Sequence, residues 1–139
     1  MAAPAKVVLL VDDYADDVFL VKRALAKAFL KNPLQAVQNV PAAIQYLEGA
    51  DMYADRSLFP LPSVIIIDLH MPGKDGFELL EWLRKRPEFQ NLHRIVISGV
   101  ERMSDTTRAY QLGAHSFLTK PLKEDDLRNL ARAFPDAWT

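Results

Sequence analysis

Three hydrophobic runs and one short strand-like segment in this sequence each end in a side chain able to bind or transfer charge. Val7–Val11 is followed by Asp12 and Asp13, residues 64–67 by Asp68, residues 95–97 by Ser98, and residues 115–119 by Lys120 and Pro121. Three carboxylates in one pocket would repel each other and rise in pKa unless something compensates. A hard divalent cation does so, and Mg²⁺ typically takes one or two carboxylates together with waters and phosphate oxygens. A lysine beside them can pair with a carboxylate or with an incoming phosphate. A carboxylate held there is a competent nucleophile towards phosphorus, and a neighbouring hydroxyl can bond a phosphoryl oxygen. Taken singly, most aspartates merely end strands and begin turns. The joint pattern favours chemistry.

The elements that must position these residues alternate along the chain. The continuous apolar, β-branched runs suit strands buried on both faces, the habit of parallel sheets. Val18, Val21, Leu25 and Ala28 or Phe29 repeat at helical spacing, predicting an amphipathic helix over about 16–30 with Asp16 and Asp17 in its first turn. Further helices are predicted over 41–49, from Asp75-Gly76 through Phe77, Leu80 and Leu83 or Arg84, over 104–112, and from about 124 to Phe134. Residues 34–40 read as an edge strand interrupted by glutamines, and 115–119 as a short strand. Five strands alternating with five helices imply an α/β fold: a five-stranded parallel sheet with helices on both faces. Right-handed crossovers and the flavodoxin-like order 2-1-3-4-5 place the ligand site beyond the carboxyl ends of the strands. Asp12, Asp13, Asp68, Ser98 and Lys120 then converge on one rim.

Composition narrows the classes. The chain has 139 residues, half of them apolar, which suits one domain with a packed core. Lysine plus arginine number 17 against 18 acidic residues, a formal charge of −1 that argues against non-specific nucleic-acid binding. There is no cysteine, so disulfide and thiolate chemistry are excluded. No apolar run approaches the roughly 20 residues needed to cross a bilayer, and the first residues do not read as a signal peptide. The expectation is a cytoplasmic protein without membrane or nucleic-acid partners.

The set Asp12-Asp13, Asp68 followed by Met71-Pro72-Gly73-Lys74-Asp75-Gly76, Ser98-Gly99 and Lys120-Pro121 resembles the response-regulator receiver domain in residue type, order and spacing, from about residue 6 to 134. The resemblance implies that Asp68 is the phosphoacceptor, with a sensor histidine kinase as donor. It implies Mg²⁺ held by Asp13, Asp68 and the backbone carbonyl of His70, with Asp12 acting largely through water. Lys120 would pair with the phosphate across a cis bond to Pro121. Ser98 would be the switch hydroxyl and Phe117 the aromatic that turns inward when Ser98 is drawn to the phosphate. Residues 1–139 are then expected to be one receiver domain with no output domain, a phosphoacceptor switch rather than an enzyme. Its signal would pass through protein contacts on the face of the fourth helix, fifth strand and fifth helix, with a homodimer as one candidate.

Several residues lie outside this set or depart from it. Asp16 and Asp17 read as helix-start charges with no direct role, and Asp75-Gly76 as turn formers. His70 reads as a solvent-edge side chain, the sharper alternative being that it tunes phosphate lifetime or metal affinity. Val100 is apolar where polar residues are frequent in the family. His93 and His115 read as surface or strand residues. The long stretch 50–63 and the aromatic segment 134–138 resemble features of the small response regulators paired with bacterial and cyanobacterial phytochromes, which makes a bacterial phytochrome a candidate kinase. The main rival class is a haloacid-dehalogenase-type phosphatase, but that class wants a second acid where this chain has His70. A receiver-shaped interaction module that no longer accepts phosphate is a third reading.

Overall fold

Long aliphatic runs without polar alternation can be buried on both faces inside a parallel sheet. The computed structural model, which describes residues 6–71, 73 and 75–139, puts them there. The strands are β1 (Val7–Val11), β2 (Leu34–Val37), β3 (Pro62–Asp68), β4 (His93–Ser98) and β5 (Ser116–Thr119). All pair in parallel, in the order β2-β1-β3-β4-β5, as the sequence predicts. Between and after them come α1 (Ala15–Lys27), α2 (Val40–Glu48), α3 (Gly76–Arg84), α4 (Met103–Gln111) and α5 (Glu124–Ala133).

The period-2 alternation of side chains divides the central strands between two cores. Leu9, Val11, Ile65, Ile67 and Val96 pack with α2 and α3 on one face. Val8, Leu10, Val64, Ile66, Ile95 and Ile97 pack with Val21 and Leu25 of α1 and Leu127 and Leu130 of α5 on the other. Complete burial of each such side chain contributes about 1.5–3 kcal/mol, so the central strands hold their carboxyl ends firmly in place. Gly76, at the start of α3, lies hard against the end of β3. A Cβ there would stand 3.0 Å from the Asp68 carbonyl oxygen and from Leu69 Cα, so the helix approaches this closely only because position 76 is glycine.

Two predicted boundaries shift for identifiable reasons. The second strand stops at Val37 rather than at 40, because Asn39 caps α2 by accepting the Ala42 amide at 2.8 Å and Pro41 has no N–H for a ladder. The first helix stops at Lys27, ahead of Phe29, which adopts a left-handed conformation at φ 59°. The long stretch 50–63 contains a short 3-10 turn at Asp51–Tyr53. It folds back on α2, where Tyr46, Tyr53 and Phe59 pack their rings with centroids 5.1–6.0 Å apart. Arg56 donates to the Tyr46 and Leu47 carbonyls at 2.8 and 2.9 Å, satisfying the open end of that helix. Its reach to the sheet edge is slight: Gln35 donates to the Leu58 carbonyl at 3.5 Å.

The carboxyl-terminal segment closes the opposite end of the sheet. Asn32 donates to the Lys6 and Ala137 carbonyls and accepts the Thr139 amide, and Ser63 donates to Ala137 at 2.6 Å. His93 opens β4, as the strand reading had it, and at only 2% exposed it is not a surface residue. Its ring stacks on Phe134 at 3.8 Å, and its Nδ1 accepts the Trp138 indole N–H at 3.1 Å. Because Nδ1 is an acceptor, the neutral ring carries its proton on Nε2. Burial, with the neighbouring His115, pushes the imidazole down to about 4. A histidine whose folded pKa lies below its unfolded value contributes stability that is complete above about pH 6.5 and lost as the pH falls towards 4. Between pH 7.5 and 5, wild type is therefore expected to lose about 2 kcal/mol more unfolding free energy than His93→Phe, measured by urea denaturation. Equal losses in the two proteins would contradict this account of His93.

Candidate functional site

The carboxyl ends of β1, β3, β4 and β5 deliver the predicted polar residues to one rim. Asp68 is the last residue of β3, paired in register with Ile97, and Ser98 is the last of β4. The Lys120 amide donates to the Ser98 carbonyl at 2.8 Å, and the Lys120–Pro121 bond is cis, as the resemblance implies. The Asp12 carboxylate follows β1 and accepts the Tyr14 amide at 3.0 Å.

At the centre of the rim stands the Lys120 ammonium. Its Nζ lies 2.5 Å from Asp17 Oδ2, 3.2 Å from Asp68 Oδ2 and 3.3 Å from Asp12 Oδ2. The Asp12 and Asp68 side chains are almost completely buried, at 0% and 6% exposure. Burial raises the Asp12 carboxyl to about 7; the Tyr14 amide and Lys120 oppose this, while Asp17 and Asp68 add to it. Burial also raises Asp68, against the pull of Lys120 and the His70 amide, with the Asp13 charge raising it further. For Lys120, burial works to lower the pKa, but its carboxylate partners, led by Asp17 and Asp68, outweigh burial and hold the ammonium above its usual range. One cation serves three carboxylates.

The donor set fits a divalent metal ion. Carboxylate oxygens of Asp12, Asp17 and Asp68 lie within 4.8 Å of one another. Asp12 Oδ2 is buried and accepts no hydrogen bond among the described residues, because Lys120 approaches it at ion-pair distance without the alignment of a hydrogen bond. A buried anionic lone pair without a donor is costly, and an oxygen-seeking cation would remove that cost.

The remaining predicted residues are arranged less directly. Asp13 is exposed at the edge of the rim, close enough for its charge to bear on Asp68. Ser98 is buried and turned into its own loop, its hydroxyl donating to the Val100 carbonyl at 2.8 Å and accepting the Val100 amide at 3.1 Å. Phe117 is partly buried against the α2/α3 core, and its amide donates to the Tyr110 hydroxyl at 3.2 Å. The His70 amide donates to Asp68 Oδ1 at 3.3 Å; its side chain is 52% exposed, with Nε2 3.5 Å from Asp105 Oδ2.

Asp17 corrects the sequence reading. It is not only a helix-start charge, since its carboxylate holds Lys120. The signal was available in its place: the first turn of α1 follows directly on the rim residues Asp12 and Asp13, and a residue there can face back over the sheet end.

Comparison with known proteins agrees with this geometry. The model of the response regulator receiver domain family matches residues 8–132. Response regulator Rcp1 of Synechocystis sp. (strain PCC 6803) is 28% identical over 135 residues, covering 97% of this chain and 90% of its own. The Mn²⁺-bound form of Rcp1 superposes with a TM-score of 0.74 at 27% identity, over 94% of this chain and 92% of that one. Response regulator RPA3017, from red light signalling of R. palustris, gives a TM-score of 0.84 at 27% identity, covering 96% of each chain. The phosphorylated cyanobacterial phytochrome response regulator RcpA gives 0.77 at 26% identity, covering 97% of this chain and 94% of its own. Similarity of this extent favours the receiver reading over the phosphatase. With five parallel strands in the expected order and the acid cluster and lysine at their carboxyl ends, this chain belongs to the response regulator receiver domain family.

Proposed function

We propose that Asp68 accepts a phosphoryl group from a phosphohistidine of a sensor histidine kinase, and that the modified protein signals through contacts on the α4–β5–α5 face. The observation that carries this reading is the Lys120 ammonium 3.2 Å from the Asp68 carboxylate, on the rim where Asp12 keeps a buried oxygen without a donor. In the transfer, an Asp68 oxygen forms the new O–P bond while the N–P bond of the donor breaks, its electron pair leaving with the imidazole. Little covalent work falls to the protein, so positioning and charge are its contribution.

Asp12, Asp13 and Asp68, with the His70 carbonyl, are the residues that would hold Mg²⁺. The ion would supply neutralisation of charge on the transferring phosphoryl oxygens. Lys120 stands ready to exchange a carboxylate partner for a phosphoryl oxygen. Ser98 can do likewise by giving up its bond to the Val100 carbonyl, and Phe117 would turn inward in response. Replacing an internal bond with one to the phosphoryl group biases two arrangements of the loop after β4, the property a switch requires.

The chain is proposed to act as a stoichiometric switch in the cytoplasm rather than as a turnover catalyst. Similarity to the phytochrome response regulator RcpA, and to RPA3017 of red light signalling, supports a phytochrome-type kinase as the donor. The α4–β5–α5 face is also where a homodimer would form.

With acetyl phosphate and Mg²⁺, intact-protein mass spectrometry is expected to show one added phosphoryl group on wild type and none on Asp68→Asn. Chelating the metal should abolish the addition. Lys120→Ala should slow it about a hundredfold or more, the scale of losing one charge-stabilising donor. Ser98→Ala should still accept the group but lose the accompanying conformational change. Equal modification of Asp68→Asn and wild type would overturn the proposal.

A further inference from the structure

The loop after β3 carries a contact that phosphoryl transfer itself does not use. His70 touches two parts of the molecule at once. Its backbone N–H donates to Asp68 Oδ1, and its imidazole Nε2 faces Asp105 Oδ2 in the first turn of α4 at 3.5 Å. Asp105 is an odd side chain for an exposed helix start. It is only 18% exposed, and its Oδ2 is buried with no hydrogen-bond donor among the described residues. A carboxylate at this position commonly turns back to bond the amides of its own first turn. Here the helix cap, Arg102, makes no side-chain capping bond, and the Asp105 oxygen faces across to the neighbouring loop instead.

The rest of α4 is weakly anchored. Ala109 is its one buried residue, while Met103 is 85% and Tyr110 48% exposed. For a helix with so little buried area, one polar contact at the amino end is a large share of what fixes that end.

We propose that His70 and Asp105 form a latch that holds the first turn of α4 to the phosphoacceptor loop in the unmodified protein, and that phosphorylation of Asp68 opens it. The release step rests on the reading of Asp68 as phosphoacceptor. Conversion of the Asp68 carboxylate to an acyl phosphate removes the anionic acceptor of the His70 amide and places phosphoryl oxygens beside it. The amide re-aims towards those oxygens, and the imidazole, carried on the same residue, leaves Asp105. At 3.5 Å the imidazole–carboxylate contact is longer than a good hydrogen bond, so it is strong enough to bias α4 and weak enough to be given up. This route to α4 runs from β3 and is separate from the Ser98 and Phe117 route through β4 and β5.

Hydrogen exchange of the α4 amides in the full chain tests the latch. In the unmodified protein, His70→Ala and Asp105→Asn should each accelerate exchange over residues 103–111 by about two- to five-fold, the scale of one polar contact. The double variant should exchange no faster than either single one. Wild type treated with beryllofluoride and Mg²⁺ should show the same acceleration, and the treatment should add none in His70→Ala. Single variants exchanging at the wild-type rate, or effects that add in the double variant, would overturn the latch. A wild type that does not respond to beryllofluoride would instead overturn the phosphoacceptor reading and the release step, leaving the unmodified variants to decide the latch.

Discussion

The ammonium of Lys120, shared among Asp17, Asp68 and Asp12 within 2.5–3.3 Å, is the interaction around which the rim is organised. Its charge covers only part of what surrounds it. Two of the three carboxylates are buried, where an uncompensated charge is strongly disfavoured, and burial accordingly lifts both Asp12 and Asp68 above the ordinary carboxylate range. The unmodified site is therefore balanced short of neutrality. Functional sites often hold such imbalance, because the deficit is what makes them respond to a ligand. Here the deficit is of positive charge, which a divalent cation would supply.

The remainder of the fold serves to hold that imbalance in place. Carboxylates left to relax would separate, and surface side chains on a mobile loop would do so. Instead Asp68 ends a strand whose four preceding residues, Val64 to Ile67, are fully buried between two cores, and Gly76 lets α3 press against its backbone. At the far end of the sheet, Asn32, Ser63 and the His93–Trp138 pair fasten the carboxyl terminus beneath the strands.

The sequence displays the rim clearly because its information is local. Asp12, Asp68 and Ser98 each directly follow an apolar run and Lys120 follows a short strand, and in a parallel sheet that fact alone fixes where they arrive. Asp17 was missed because its partner lies 103 residues away, across a helix turn whose facing depends on tertiary packing. His93 read as a surface or strand residue, and only the return of Trp138 shows why an imidazole at the start of β4 can be buried. The end of the second strand was misread because Val40 continues an apolar pattern that the Asn39 cap overrides. The contact of His70 with Asp105 joins two elements far apart in the sequence, and no pattern along the chain announces it.

The carboxylate rim is short of positive charge unless a divalent cation binds. The most direct measurement is urea unfolding of wild type and Asp12→Asn with and without Mg²⁺ at neutral pH. Without metal, Asp12→Asn should be at least as stable as wild type, because a neutral amide replaces a buried carboxyl. With Mg²⁺ at about a hundred times its dissociation constant, wild type should gain roughly 2–3 kcal/mol, and Asp12→Asn clearly less. A wild type indifferent to Mg²⁺, or the same gain in both proteins, would contradict the account.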